Sequence, residues 1–270
     1  MKQDDLRGTW ALVTGASSGL GVGFARNLAA RGSNLILAAR REDRLRTVQQ
    51  SVTARYGVEA DVFPMDLEPP EAPQRLYDAL EAAGRSVDVL INNAGFGLYG
   101  EFVKIPWERE RAMLELDIVT LTHLTKLFVK NMVARRFGHV LLVASIGAYQ
   151  PSPTYATYSA AKSYVLSFGQ ALHYELRKTG VNVTVVSPGV TRTEFLEVAG
   201  HRPSLYQRAM MMESADVTRI AVDAMLKGKA SVVTGYKNAA IARLMRLLPG
   251  QLAARMTERS MTIGSPRRSK

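Results

Sequence analysis

Seven short runs rich in Val, Ile and Leu punctuate this chain, at residues 9–14, 34–39, 59–65, 87–92, 139–145, 181–187 and 230–234. They carry little polar alternation, which is the pattern of strands covered on both faces. Between them lie stretches with helical spacing, among them residues 19–31, 42–56 and 107–136. Strand, helix and strand in repetition predict an α/β chain with a parallel, doubly wound sheet. In such a sheet ligands bind beyond the carboxyl ends of the strands, so the residues just after each run are the ones to inspect. No repeat, low-complexity tract or linker interrupts the alternation. One domain is expected over residues 1–235, followed by an appendix over 236–270.

Composition narrows the chemistry. At 47% hydrophobic and 22% charged residues the chain can bury a large core, which excludes global disorder. It has no cysteine, which excludes disulfides, thiolate metal sites and a cysteine nucleophile. His123, His139, His173 and His201 lack metal-ligand spacing, so no metal is expected. The net charge of +11 suggests a nucleic-acid partner until it is divided along the chain. Residues 227–270 hold ten Lys/Arg against one Glu, leaving only +2 for the rest, so no nucleic-acid partner is expected. The polar start over residues 1–8 and the absence of a long apolar run predict a cytoplasmic protein, soluble or peripheral to a membrane.

The first run leads into Gly15, Ala16, Ser17, Ser18, Gly19, Leu20 and Gly21, and a helix begins at once. Glycines there allow a tight turn and close approach of backbone to a pyrophosphate, and the helix N-terminus offers free N–H groups. The second run ends at Ala39, where a carboxylate would hold a ribose 2′-hydroxyl. Arg40 comes next instead, with Arg41 and Arg44 behind it, and such a cluster suits a 2′-phosphate. NADP(H) is therefore expected in preference to NAD(H). After the third run, Asp66-Leu67 can receive the adenine. After the fourth, Asn93, Ala94 and Gly95 keep the backbone open to the cofactor.

Ser145 ends the fifth run, and thirteen residues later Tyr158 and Lys162 stand four apart in a helical stretch, on one helix face. A phenol titrates near pH 10, too high for easy proton exchange. A neighbouring ammonium favours the phenolate, and a strand-end hydroxyl can polarise a carbonyl.

Together with Pro188, Gly189, Val190, Thr191, Arg192 and Thr193, these motifs resemble the short-chain dehydrogenase/reductase family in order and spacing, over roughly residues 8–235. The resemblance implies a seven-stranded Rossmann-type sheet, hydride transfer with a nicotinamide cofactor, and a homodimer or homotetramer. It assigns proton transfer to Tyr158, carbonyl positioning to Ser145 and ribose binding to Lys162 and Tyr158. The loop of Pro188, Gly189, Val190, Thr191 and Thr193 would close over the nicotinamide. The chain departs from the family at Asp117, where an Asn usually supports a water relay to the lysine. Either the relay works with a carboxylate, or activity is reduced.

The segment 194–213 carries Phe195, Leu196, Val198, Leu205, Tyr206 and Met210 to Met212, and Phe96, Leu98 and Tyr99 come after the fourth strand. These residues imply a small hydrophobic ketone, aldehyde or alcohol as substrate. Within the appendix, Pro249-Gly250 should break residues 239–256 into two short helices. Their Leu, Met and Arg side chains leave three roles open: contact with an anionic membrane, with a partner subunit, or with their own domain. The function expected is an NADP(H)-dependent oxidoreductase; the alternative is a catalytically weak dinucleotide-binding regulator or scaffold.

Overall fold

The computed structural model of the chain describes residues 5–262. Strands β1 (Trp10–Thr14), β2 (Asn34–Ala39), β3 (Ala60–Pro64), β4 (Val89–Asn92), β5 (Gly138–Val143), β6 (Val181–Ser187) and β9 (Ser231–Val233) form one sheet in the order β3-β2-β1-β4-β5-β6-β9. Every pairing in it is parallel. A second, two-stranded sheet pairs β7 (Thr191–Arg192) with β8 (Met212–Glu213). Each predicted run contains a strand, trimmed by up to two residues at an end, except that β5 starts one residue earlier.

Alternate residues of the central strands supply two cores. Leu12, Ile36 and Leu90 face one layer and Val13, Leu37 and Ile91 the other, all fully buried. Burying each such side chain contributes roughly 1.5–3 kcal/mol, which is why the runs tolerate so few polar residues. Helices α1 (Gly19–Ala29), α2 (Glu42–Tyr56) and α9 (Ser214–Leu226) cover one face through Phe24, Leu45 and Met225. On the other, α3 (Ala72–Ala82), α5 (Leu121–Arg135) and α6 (Ala156–Leu176) pack Leu76, Phe128 and Val165. At Gly169 a Cβ would come within 2.3 Å of Val185, so helix α6 lies directly on β6.

The helix expected over 107–136 is not continuous. Helix α4 (Trp107–Leu114) passes into a π-helical turn over Glu115–Thr120 before α5 begins. A π turn widens the helix and rotates the turns beyond it, and here Asp117 points inward at zero exposure.

Helices α7 (Phe195–Val198) and α8 (Leu205–Ala209) lie between β7 and β8 in the chain. Beyond β9 the chain forms the two anticipated helices, α10 (Tyr236–Met245) and α11 (Gly250–Thr262); the break between them spans residues 246–249, with Gly250 opening α11. Asn238, Ala242, Ala253 and Thr257 are buried against the domain, whereas Leu244, Leu247, Leu252 and Met256 stay exposed. Of the three roles left open for the appendix, packing on its own domain therefore describes its inner stripe. Residues 1–4 of the polar start and 263–270 of the appendix lie outside the described residues. No described helix is long and apolar enough to cross a membrane.

Candidate active site

The strand order reverses direction between β1 and β4, and the crevice between their carboxyl ends is where this topology binds ligands. The two loops there are bonded to each other. Thr14 Oγ1 accepts the N–H groups of Asn93 and Ala94, each at 3.0 Å, and Asn93 Nδ2 donates to the Thr14 carbonyl at 2.9 Å. Gly15 has φ +66°, and a Cβ on it would lie 2.9 Å from Asn93 Nδ2, so only glycine fits.

Above this junction opens a cavity of about 440 Å³, within the range of small-molecule sites. Gly15, Ser17, Ser18, Gly19 and Leu20 line it, followed by Arg40, Arg41, Asp66 and Leu67. Asn93, Ala94, Gly95, Ser145, Tyr158, Lys162, Pro188, Gly189, Val190, Thr191 and Thr193 complete the set singled out in the sequence. Gly21 lies beneath the turn and Asp117 behind Lys162, so neither borders the cavity. Ser18 at the α1 N-cap makes no side-chain capping bond, which leaves that helix terminus to an anion. A dinucleotide suits this cleft: an uncapped helix end for its pyrophosphate, arginines at the end of β2, and small residues at the ends of β1 and β4.

The arginines are already engaged. Arg40, with its side chain 65% exposed, pairs with Glu68 at 3.3 Å. Arg41 reaches Ser17 Oγ at 3.4 Å, and both Arg41 and Arg44 hold Glu194, at 3.1 and 2.5 Å. Glu194 is accordingly held below the usual carboxylate range, by its bonds to Arg44 and Arg41.

Ser145 lies two residues beyond β5 and caps a 3-10 turn over Ile146–Tyr149. Its Oγ accepts the Gly147 N–H at 3.1 Å, which leaves the hydroxyl proton free to be donated. Tyr158 and Lys162 occupy the first two turns of α6 on one face. Lys162 Nζ donates to the Val143 carbonyl at 3.3 Å and lies 5.7 Å from the centre of the Tyr158 ring. It also forms an ion pair with Asp117 Oδ2 at 2.9 Å, off hydrogen-bond alignment. Asp117 Oδ1 accepts the Phe96 N–H at 3.2 Å. Asp117 thus joins the lysine directly to the loop beyond β4.

At Tyr158 the electrostatics differ from the sequence expectation of a lowered phenol. Burial pushes the Tyr158 phenol above its ordinary value and Asp117 adds to this; the pull of Lys162 and the bond with Ser145 only partly offset them. Burial alone would depress Lys162, but Asp117 beside it, with a further contribution from Tyr158, outweighs burial, and the net direction is up. Both groups therefore hold their protons in this state.

Phe96, Leu116, Phe195, Leu196, Val198 and Met261 give the cavity an apolar side. Leu205 and Tyr206 face solvent, and Leu98, Tyr99 and Met210 to Met212 do not line the cavity. Tyr99 instead packs behind it on Tyr155 and His201. Sequence reasoning missed Gln150, Tyr155, Glu194, Gln207 and Met261 as lining residues. A signal existed for Gln207 alone: Ser204 and Gln207 form a capping box, legible as S-x-x-Q. Gln207 Oε1 also stands 2.8 Å from His201 Nε2.

Residues 9–203 match the family model described as short chain dehydrogenase. A 7beta-hydroxysteroid dehydrogenase of Collinsella aerofaciens is 30% identical, over 86% of this chain and 88% of its own. A very-long-chain 3-oxoacyl-CoA reductase of Pyrenophora tritici-repentis is 31% identical, over 85% of this chain and 68% of its own. Among solved structures, one of a 7beta-hydroxysteroid dehydrogenase aligns with a TM-score of 0.85 and 26% identity, covering 96% of this chain and all of that one. A short-chain dehydrogenase from Sphingobium yanoikuyae in complex with NADPH aligns at 0.78 with 27% identity, covering 89% and 96%. Another from Burkholderia phymatum, in complex with NAD, aligns at 0.79 with 25% identity, covering 89% and 93%.

Proposed function

Since this chain belongs to the short-chain dehydrogenase family, an oxidoreductase family acting on CH–OH and C=O groups, we propose that it interconverts a hydrophobic ketone or aldehyde and its alcohol with NADP(H). The observation that carries this reading is the meeting of Ser145, Tyr158 and Lys162 in the same cavity as the glycine turn. When bound, the nicotinamide supplies the hydride for reduction or takes it up in oxidation. The Ser145 hydroxyl donates to the carbonyl oxygen and holds it beside Tyr158. Tyr158, kept protonated by burial, gives its phenolic proton to that oxygen in the direction of reduction. Oxidation runs the same path backwards, with the phenolate taking the proton. Lys162 stabilises that phenolate, binds the ribose with Tyr158, and is itself anchored by Asp117.

The preference for NADP(H) rests on Arg40 and Arg41 at the end of β2, with no acid at Ala39. Relatives named for hydroxysteroids and 3-oxoacyl-CoA support a hydrophobic substrate, as does the apolar wall that includes Phe195, Val198 and Met261. We read the protein as a cytoplasmic homodimer or homotetramer whose basic, apolar outer stripe on α10 and α11 touches an anionic membrane surface. A second reading, a weakly catalytic binding protein, draws on the Asp117–Lys162 ion pair, which commits the lysine's charge to a neighbour.

Turnover of NADPH against a panel of apolar ketones separates the two. The native chain should reduce at least one. Tyr158→Phe should lower turnover at least about a hundredfold, with the cofactor Kd nearly unchanged. No turnover on any ketone favours the second reading, and undiminished turnover in the variant removes Tyr158 from the chemistry.

A further inference from the structure

One short segment touches three parts of the site at once. Thr193 packs against the glycine turn, where a Cβ on Gly19 would lie 3.1 Å from its own. Glu194 is next and takes both Arg41 and Arg44 from across the cleft. Phe195 then opens α7 and lays its ring 5.5 Å from that of Tyr158. Glu194 thereby straps α7 to the start of α2, over the mouth of the cofactor cavity, which both Glu194 and Arg41 line. The two arginines it holds are neighbours of Arg40, in the cluster assigned to a 2′-phosphate.

We propose that Glu194 sets the selectivity between NADP(H) and NAD(H) by occupying Arg41 and Arg44 until a 2′-phosphate displaces it. The proposal rests on the NADP(H) reading. A phosphate monoester carries up to two negative charges and three acceptor oxygens, and it outbids a single carboxylate for two guanidinium groups. A cofactor with a plain 2′-hydroxyl offers nothing to exchange, so the carboxylate keeps the arginines and the strap stays tied. The three side chains are about 40% exposed, so each pair is modest in strength and the exchange is reversible. Release of Glu194 also frees the segment carrying Phe195, which links the adenosine end of the cofactor to the wall beside Tyr158.

Dissociation constants for NADPH and NADH, read by cofactor fluorescence on the full chain, test this. Glu194→Gln should tighten NADPH roughly three- to tenfold, the scale of one or two exposed ion pairs, and move NADH by less than about twofold. In an Arg41→Ala/Arg44→Ala background the same change should shrink to within about twofold, because its partners are gone. Equal effects on both cofactors, weaker NADPH binding, or a gain that persists without the arginines would overturn the assignment. A native chain that does not prefer NADPH would overturn the NADP(H) reading and this inference with it. A native preference left unchanged by Glu194→Gln would overturn the role of Glu194 alone.

Discussion

Asp117 shows how one carboxylate can alter a shared chemistry. It is fully buried, 2.9 Å from the Lys162 ammonium, and it is among the causes that keep the Tyr158 phenol protonated. Asp117→Asn keeps an oxygen for the Phe96 N–H and removes the negative charge, so the Tyr158 pKa should fall. Oxidation, which needs the phenolate, should then reach half its limiting kcat/KM at lower pH than in the native protein. Reduction should lose its alkaline limb earlier by the same shift. An unmoved profile would mean that Asp117 does not act on the tyrosine. Asp117→Ala should cost more, about 3–5 kcal/mol of stability, because it leaves a buried ammonium unpaired, and the loss is read as a lower Tm. At this scale much of the site was legible. Ser145, Tyr158 and Lys162 announce themselves through residue type and spacing next to strand ends, which are local properties. Glu194 and Tyr155 did not, because their partners lie 150 residues away for Glu194 and in a cluster with Tyr99 and His201 for Tyr155.

Strands and helices were readable wherever burial imposes a strict period. The π turn over Glu115–Thr120 was not, because apolar spacing across 107–136 barely changes when one turn widens. Its one trace in the sequence is an acid on the inner stripe. Helix α11 offers a test at the scale of elements. Its Met261 lines the cavity, Thr154 Oγ1 lies 3.8 Å from the Met261 sulfur, and Ser204 Oγ donates to the Ser260 carbonyl at 2.8 Å. Removal of residues 249–270 should leave the sheet, α10 and dinucleotide binding intact, since Asn238, which packs against Gly189, is retained. KM for an apolar ketone should rise by up to roughly tenfold, the value of a half-buried methionine side chain. An unchanged KM would remove α11 from the substrate wall; loss of folding would make it part of the core.

Over the whole molecule the charge is uneven, with +9 in residues 227–270 and +2 in all the rest. Along α10, the turn that follows it and α11, the exposed Leu244, Leu247, Leu252 and Met256 lie among Arg243, Arg246 and Arg255. Co-sedimentation with vesicles should therefore require anionic lipid, weaken as salt is raised, and fail for the chain lacking residues 249–270. Binding to neutral vesicles alone, or equal binding by the truncated chain, would refute the contact. The order in which the site is put together has a consequence for synthesis. The glycine turn, Asn93, Tyr158 and Lys162 all precede Phe195, Leu196, Val198 and Met261 of the apolar side, of which only Phe96 and Leu116 come earlier. Chains fold from the N-terminus as they are made. The residues along the cofactor side are therefore made before most of the apolar side, and the glycine turn is braced only when α9 follows, since Ser214 Oγ donates to the Gly19 carbonyl and Met225 packs in the core of Phe24.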